Sequence, residues 1–473
     1  MSAQNTVYDK GLIFMRIRSK LFSYWLRRHH KPMSATKEIA IAFALIILTG
    51  GLLLTLPISS RSGVSCGFLP ALFTATSATC VTGLVLFDTF TQWTGFGQGV
   101  ILGLIQIGGL GFMSAATLVV FFLRRKIGLK QRLVMAQALS LNDLEGVVRL
   151  QKMVLIGSIS IEGIGALILF AHFLPHVGFL TALWWGVFHS ISAFCNAGFD
   201  IFGCITPGAS LMEFQSDPVV LLTLASLLVI GGLGFLVWED LWRRHRFKQF
   251  SVYTKLVLIT TLSLIVSGWV LNCILEWNNP GTLGPMRVGD KLLNGLFQSA
   301  TLRTCGFAAL DEAKLREPTK ALSMAYMLIG GSSGSTAGGL KTVSFVVLLL
   351  FVAARSRGRE TVCAFKRTIP GNQVMDAMTI ALIMIFLAFF GGIFISATSP
   401  IGFTDAMFEA CSALGTVGLT AGATGLLSIP AQILIILYMY FGRVGVLTIS
   451  LGFLMGNRAE ERFQYASTSL LIG

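Results

Sequence analysis

Charged residues are scarce in this sequence. Asp, Glu, Lys and Arg make up 12% of its 473 residues, and hydrophobic residues make up 54%. An ordinary soluble domain is about 25% charged. The mean hydropathy is +0.75, and apolar runs of roughly 20 residues, long enough to cross a bilayer as helices, recur along the chain. These values exclude a soluble protein and predict a membrane protein.

Two further absences narrow the class. The apolar runs are continuous rather than alternating, which excludes a β-barrel as the expected fold. No cleavable signal peptide is recognisable, because the first 37 residues are basic and the first apolar run is too long for a signal core and lacks a convincing cleavage site. The chain is therefore expected to be an all-α polytopic membrane protein.

Cysteine and histidine are also few, with 8 and 6 residues. Four cysteines lie near the repeats described below, and a soft metal such as copper is one reading of them. Their offsets from the repeat glycines are 3, 3, 1 and 7 residues, so a shared ligand ring is poorly supported and packing is favoured. Cys66 and Cys204 are predicted to be external, and the sequence leaves open whether they pair. The four cysteines near the repeats are Cys80, Cys195, Cys305 and Cys411.

The spans contain no metal-binding His pair, nucleophile elbow or paired catalytic carboxylates, so an enzyme is not expected. His189 and Glu162 are isolated, and core packing or a local hydrogen bond is the expected role of each.

Eight membrane-spanning segments are predicted. An even number places both termini on one side, and 27 of the 36 Lys and Arg residues then fall on that side. This bias makes that side cytoplasmic and explains the net charge of +14 without nucleic acid. Seven basic residues, Arg303 among them, fall on the opposite side, and Lys341 and Arg443 lie within apolar segments. The segments are Lys37–Pro57, Gly97–Leu123, Val154–Leu174, Val219–Trp238, Leu256–Glu276, Leu322–Ala354, Met375–Ala397 and Ala431–Met455.

A short pattern recurs four times. Each copy has a phenylalanine, a run rich in Ser, Thr and Ala, and then a glycine followed by Leu or Phe. Three copies share the same spacing, the third is one residue shorter, and the glycines are 115, 108 and 112 residues apart. Repetition at this period predicts four similar units around one axis. The copies are Phe73–Leu84, Phe188–Phe199, Phe297–Phe307 and Phe408–Leu419.

The segment before each glycine is too short to span a bilayer, which is typical of a half-helix that enters from outside and stops within the membrane. Four helix carboxyl ends aimed at one axis, followed by extended residues with free carbonyls, favour a cation. The alternative is that the glycines only allow close helix packing. The predicted potassium ligands are carbonyls of Val81, Thr82, Gly83, Asn196, Ala197, Gly198, Thr304, Cys305, Gly306, Thr416, Val417 and Gly418, and potassium at these positions is the only metal expected.

The helix after each of these segments contains glycines, and the third departs from the others. Five glycines among ten residues form a poor helix and interrupt the span, as broken helices do in transporters. We predict an intramembrane loop that moves and occludes the path. It is not a phosphate-binding loop, because Leu340 separates Gly339 from Lys341. The predicted loop comprises Gly330, Gly331, Ser332, Ser333, Gly334, Ser335, Thr336, Ala337, Gly338 and Gly339.

Arg443 is the second departure from symmetry, because it lies inside the final apolar segment. An intramembrane charge is costly and is a functional candidate. Below the filter it would repel a cation and limit flux, or else it would pair with a carboxylate or carbonyls as a structural element. Lys341 is expected near the inner vestibule or at the cytoplasmic interface. On the outer side, Asp88, Asp200 and Asp311 either concentrate cations at the mouth or serve as ordinary loop and cap acids.

Together these motifs resemble the Trk/Ktr/HKT superfamily of potassium transporters over nearly the whole chain. The resemblance rests on the four glycine segments, on QIGGLGF at Gln106–Phe112, on the run Gly330–Thr342, and on YFGRVGVLT at Tyr440–Thr448. It implies four M1-P-M2 (potassium-channel-like) units around a pseudo-fourfold pore, with eight transmembrane helices and four re-entrant half-helices. It also implies gating by the loop and Arg443.

The resemblance is greatest to Ktr-type membrane subunits, because no span precedes Lys37. It implies a homodimer in the bacterial plasma membrane, bound to a cytoplasmic RCK-type ring that carries ATP or ADP. This chain is then expected to have no cofactor of its own, with sodium as a possible activator. In the HKT branch a serine in place of the first filter glycine is associated with sodium selectivity, and Gly83 therefore favours potassium.

The predicted organisation has a basic arm over 1–36 and repeats over 37–132, 133–252, 253–367 and 368–473. The basic stretch Met15–Lys31 is either an amphipathic interfacial helix or a disordered arm. A sodium-coupled symporter, a sodium-conducting member of the same superfamily and a structural subunit of an ion-pumping complex remain as alternatives. Inverted repeats, typical of many symporters, are not predicted here because every repeat has the same order of elements.

Overall fold

The computed structural model describes residues 35–111 and 147–445, and its main elements are helices. The basic arm, the segment 112–146 and the carboxyl-terminal tail lie outside these residues, as do the predicted helix Met15–Lys31, Phe112, and the end of the motif Tyr440–Thr448. The positions of both termini therefore stay predictions.

The same order of helices recurs four times in the described residues. A long helix is followed by a shorter one of 12 to 16 residues, which ends just before the repeat glycine, and then by an inner helix. We call these the outer, pore and inner helices. The outer helices are α1 (Ala35–Thr55), α5 (Val147–Val177), α9 (Val252–Glu276) and α13 (Gly371–Thr398). The pore helices are α2 (Phe68–Thr79), α6 (Phe179–Phe194), α10 (Val288–Thr301) and α14 (Phe403–Gly415).

The inner helices are less regular. The second one bends by 91° at Gly234, and the third is split in two by the glycine-rich loop. The predicted span Val219–Trp238 is thus a bent pair of helices, because Gly234, with a φ of 93°, interrupts it. The inner helices are α4 (Gly95–Leu110), α7 (Pro218–Leu233) with α8 (Phe235–Arg243), α11 (Glu317–Leu328) with α12 (Thr342–Arg355), and α15 (Ile429–Val444), and a short α3 (Thr89–Gln92) precedes α4.

Four described helices are long and apolar enough to cross a membrane, and the bent pair raises the number to five. They are the four outer helices, at Lys37–Thr55, Leu150–Val177, Val252–Glu276 and Gly371–Thr398. The chain is thus a helical membrane protein, whereas the predicted total of eight spans includes shorter or broken helices. A small exception to the all-α prediction is a hairpin of β1 (Cys363–Ala364) and β2 (Arg367–Thr368). Its turn residues Phe365 and Lys366 both have positive φ, as a type I′ turn requires.

The pore helices are anchored in the protein core by the phenylalanine that opens each repeat pattern. These four side chains are at most 1% exposed. Inner helices approach the pore helices through glycine: a Cβ on Gly108 would collide with the Thr79 carbonyl, and a Cβ on Gly231 with the Phe194 carbonyl. Small residues therefore let the inner helices reach the carboxyl ends of the pore helices. The anchors are Phe73, Phe188, Phe297 and Phe408.

Candidate functional site

The four repeat glycines form one closed ring. A Cβ atom built on Gly83 would lie 3.3 Å from the Cα of Gly418 and 3.4 Å from the Cα of Gly198. Gly306 makes the same kind of approach to Gly418, and Gly198 to Gly306. The order around the ring is therefore the order along the chain, and segments more than 100 residues apart are brought to one axis.

The carbonyl before each glycine points toward the glycine of a neighbouring repeat. The Ala197 oxygen would lie 2.6 Å from a Cβ on Gly83, and the Val417 oxygen 2.5 Å from one on Gly306. The oxygens of Cys305 and Thr82 stand in the same relation to Gly198 and Gly418. Four oxygens thus crowd one small ring, and none of the four glycines has room for a side chain.

The residue two positions before each glycine has left-handed backbone geometry. Its φ lies between 52° and 66° in all four copies, although none of the four residues is glycine. A β-branched residue in this region is an outlier that costs roughly 1–2 kcal/mol. Strain of this kind persists where the surroundings impose it, often at functional sites. The residues are Val81, Asn196, Thr304 and Thr416.

Hydroxyl groups at the ends of the pore helices form hydrogen bonds with the same segments. Ser77 accepts a hydrogen bond from the Gly83 amide at 3.0 Å, and Ser412 does the same for Gly418. Ser192 and Thr301 instead donate to the carbonyls of Phe199 and Phe307, at 2.7 and 2.8 Å. The sequence prediction did not assign a role to these hydroxyls. The recurring Ser-Ala pair is the signal that marks three of them, and Thr301 replaces the serine in the shorter third copy.

The pore helices end three to five residues before their glycines, so their carboxyl ends face the ring. Each such end carries about half a negative charge. The hydroxyls of Thr82, Thr304 and Thr416 are buried and have no hydrogen-bond partner in the described structure. Partial negative charge, crowded carbonyls and orphan hydroxyls together make an environment suited to a desolvated cation.

The glycine-rich loop of the third repeat lies directly beneath the ring. A Cβ on Gly338 would collide with the Thr416 hydroxyl, and Thr336 Oγ1 lies 2.9 Å from Asn196 Oδ1. The Thr336 hydroxyl also lies 3.2 Å from the Phe194 carbonyl. The loop therefore touches the segments before the repeat glycines of the second and fourth repeats.

Backbone hydrogen bonds join the loop to the neighbouring inner helices. The amides of Ser332 and Thr336 donate to the carbonyls of Gly232 and Gly231, at 3.1 and 3.4 Å. On the other side, the Gly339 amide donates to the Gly442 carbonyl at 3.3 Å. Because these bonds use the backbone, glycine lets the helices and the loop approach closely enough to form them.

Arg443, the residue after Gly442 in α15, also fastens the loop. Its guanidinium donates to the Thr336 carbonyl in the loop and to the carbonyls of Gly108 and Gly109 in α4, the last at 2.9 Å. No carboxylate pairs with it among residues 35–111 and 147–445. The sequence left open whether Arg443 repels a cation or pairs as a structural element. Pairing with carbonyls is observed. The charge also lies below the ring, where it would oppose a cation.

Two more basic residues flank the loop. Lys341 Nζ donates to the Ala337 carbonyl at 2.9 Å, so it folds back onto the loop rather than reaching the cytoplasmic interface. Arg303 is 6% exposed and donates to the Thr342 hydroxyl at 3.3 Å. It is therefore buried in the protein behind the third repeat segment, whereas the sequence places it among the basic residues of the external side.

The outer acids have capping roles. Asp88 accepts from the Thr91 amide at 2.8 Å and Asp311 from the Ala313 amide at 3.2 Å. Asp200 accepts from the Phe202 amide at 3.3 Å. Burial, together with the neighbouring charge of Asp88, raises the pKa of the Asp200 carboxyl to about 7.

The cysteines and His189 form no disulfide or metal site in the described structure. All eight thiols are free, including Cys66 and Cys204, and the described residues contain no cluster of three or more potential metal ligands. His189 contacts the Trp185 carbonyl at 2.8 Å and accepts from the Ile201 amide at 3.2 Å. It braces the segment after Gly198, a local hydrogen-bonding role as expected.

We predict that Thr336→Val loosens the loop and raises cation flux a few-fold. Valine keeps the shape but removes the hydroxyl, which leaves the buried Asn196 oxygen without this partner at a cost of about 1–3 kcal/mol. Flux into vesicles containing the purified variant measures the effect. Thr379→Val is the matched control, because the Thr379 hydroxyl contacts only its own helix, at the Met375 carbonyl. A flux equal to that of the control would contradict the prediction.

We also predict that acidification weakens cation capture at the outer mouth. The raised pKa of Asp200 means that the carboxyl is charged above about pH 7 and neutral below it. Loss of one nearby charge costs roughly 1 kcal/mol in attraction, so KM should rise a few-fold between pH 8 and pH 6. Asp200→Asn should show the higher KM at both pH values. A pH response that is unchanged in this variant would refute the assignment.

A helical membrane protein whose four repeats meet in a ring of carbonyls belongs among cation-conducting proteins. A family model described as "TrkH: Cation transport protein" matches residues 7–463, and the chain belongs to this family of transporters, not enzymes. It is 43% identical over 425 residues to the Ktr system potassium uptake protein B of Bacillus subtilis, which covers 90% of this chain and 94% of the relative. It is 39% identical over 452 residues to the potassium/sodium uptake protein NtpJ of Enterococcus hirae, covering 94% and 99%.

A solved structure has the same fold. The potassium transporter TrkH from Vibrio parahaemolyticus superposes with a TM-score of 0.70 at 17% identity, covering 89% of this chain and 86% of that one. The family model and the relatives confirm the family prediction, and the chain is a membrane cation transporter with several apolar helices.

Proposed function

We propose that this chain takes up potassium across a bacterial plasma membrane, through a filter made by four non-identical M1-P-M2 repeats. The observation that carries the proposal is the closed ring of Gly83, Gly198, Gly306 and Gly418, with a carbonyl crowded against each glycine. Backbone carbonyls in such a ring can replace the hydration shell of an alkali ion. The names of the relatives, which are potassium uptake proteins, support potassium as the cargo.

The loop 330–339 and Arg443 are proposed to form the gate. In the described conformation the loop lies across the inner edge of the ring and is held by the second and fourth repeats. Opening requires that the Arg443 bonds to Thr336 and to α4 separate. Since Arg443 is cationic and lies beneath the ring, it also raises the electrostatic barrier to a potassium ion.

Regulation is proposed to come from other chains. The relatives named as Ktr system proteins support a membrane subunit that works with a regulatory partner. We propose a homodimer bound to a cytoplasmic RCK-type ring that holds ATP or ADP, with both termini on that side and sodium as an activator. This chain itself supplies the path and the gate, embedded in membrane lipid.

A sodium-conducting transporter is the second candidate function, and the relative named as a potassium/sodium uptake protein favours it specifically. Rubidium and sodium uptake into vesicles that contain the purified full chain decides between the two functions. Potassium should compete with rubidium far better than sodium does, and the chain should restore growth of cells that lack potassium uptake. Equal competition by sodium would favour the alternative, and no flux from correctly inserted protein would refute both.

A further inference from the structure

A buried carboxylate interrupts the symmetry of the outer helices. Glu162 lies in the middle of α5 and is only 6% exposed. Three residues further on, Gly165 packs against Ser190 of the pore helix. Gly268 and Gly391 likewise pack against Ser299 and Ala410 of their pore helices. Gly50 instead packs against Leu104 of its inner helix, as Gly165 also does against Leu227, and these contacts align the four outer helices. In the other repeats the position of Glu162 is taken by Ile47, Ile265 and Ala388.

Apolar residues thus suffice at this position in the first, third and fourth repeats. Packing therefore does not require the acid that the second repeat has there. No Lys, Arg or His of the described ranges forms a salt bridge with it. An unpaired carboxyl group inside a membrane protein is costly and marks a functional position. The loop-and-Arg443 gate does not use it.

The carboxylate is instead the centre of a small polar network. Gln106 Nε2 of α4 donates to both of its oxygens, at 3.1 and 3.0 Å. The Cys195 thiol lies 3.8 Å from the Glu162 Oε1 atom and 3.8 Å from the Gln106 Oε1 atom. The other inner helices have Val229, Leu328 and Tyr440 where α4 has Gln106, so both partners are confined to this interface.

Each end of the network adjoins one of the gate contacts. Gln106 precedes Gly108 and Gly109, whose carbonyls hold Arg443. Cys195 precedes Asn196, which holds Thr336 of the loop. One carboxylate therefore fixes the positions of both surfaces against which the loop is fastened.

We propose that Glu162 is a positioning residue for gating and ion selection, acting through Gln106 and Cys195. The inference rests on the proposed function and adds a residue to it. It predicts that loss of the network shifts the second filter segment and α4 together, so that sodium is admitted more readily and the gate closes less completely.

The test compares the ratio of potassium to sodium flux in vesicles containing the full chain. Glu162→Ala and Gln106→Leu should each lower the ratio about tenfold, the change that one charge-assisted hydrogen bond supports. The double variant should lower the ratio no further than either single variant does, because both substitutions break the same network. Glu162→Gln, which keeps a hydrogen-bonding group, should restore most of the ratio. Ile265→Ala is the matched control at the equivalent position of the third repeat.

The outcomes separate the two proposals. Wild-type vesicles without potassium flux would overturn the proposed function. Wild-type flux with an unchanged ratio in a stable, inserted Glu162→Ala protein would overturn only the role of Glu162, as would an equal fall in Ile265→Ala. If Glu162→Ala does not fold, Gln106→Leu decides, and an unchanged ratio there overturns the inference.

Discussion

Replacing Gly83 with serine is expected to lower the ratio of potassium to sodium flux by about tenfold. Gly83 has a φ of 99°, where a side chain is strained, and its Cβ would lie 2.6 Å from the Ala197 oxygen. A non-glycine residue with left-handed geometry costs roughly 1–2 kcal/mol, and 1.4 kcal/mol corresponds to about tenfold. The strain falls on a carbonyl that we propose as an ion ligand, so selection should suffer before folding does.

Ion competition against rubidium uptake measures this ratio. The matched control is Gly103→Ser, because Gly103 lies within α4 with nothing near its Cβ position. The control should retain the wild-type ratio and comparable thermal stability. If Gly83→Ser also retains the ratio, Gly83 does not contribute to ion selection.

Replacing Arg443 with alanine should increase flux by at least about tenfold while leaving the fold intact. The change removes hydrogen bonds from a charged group, worth about 1.5–3 kcal/mol each, that fasten the loop to α4. It also removes a positive charge from beneath the ring. Both effects favour an open, conducting path, and they act in the same direction.

Arg443→Lys separates the two effects, because lysine keeps the charge but not the planar fork that reaches several carbonyls. Its flux should lie between those of the wild type and Arg443→Ala. Arg357→Ala, which removes an exposed arginine, controls for net charge. Flux through Arg443→Ala at or below the wild-type level, in stable protein, would contradict a closing role.

The sequence was enough to predict the repeated framework. The four glycine segments, the break in the third inner helix and the membrane class all follow from local pattern, because membrane burial and glycine geometry act on consecutive residues. The short segments before the glycines are helices as predicted, and each inner helix that the structure describes reaches the end of a pore helix.

Contacts between repeats were beyond prediction. Counting charges along the sequence places Arg303 on the external side. Such a count cannot show that the side chain is buried within the protein. The sharp bend at Gly234 depends on the loop, whose Gly334 carbonyl accepts from the Phe235 amide at 2.8 Å. The pairing of Glu162 with Gln106 joins positions 56 residues apart on different helices, and each looks isolated along the chain.

The residues with left-handed backbone geometry in the ring determine how the four repeats can differ in sequence. Their backbone is fixed by cap hydrogen bonds from the pore helices, so the side chain at each position is free to differ, and the four are Val81, Asn196, Thr304 and Thr416. An assembly of four identical subunits would repeat every substitution around the whole circle. In this single chain, one substitution changes only one of the four repeats. The repeat with asparagine at this position, the second, is the one whose side chain holds the loop.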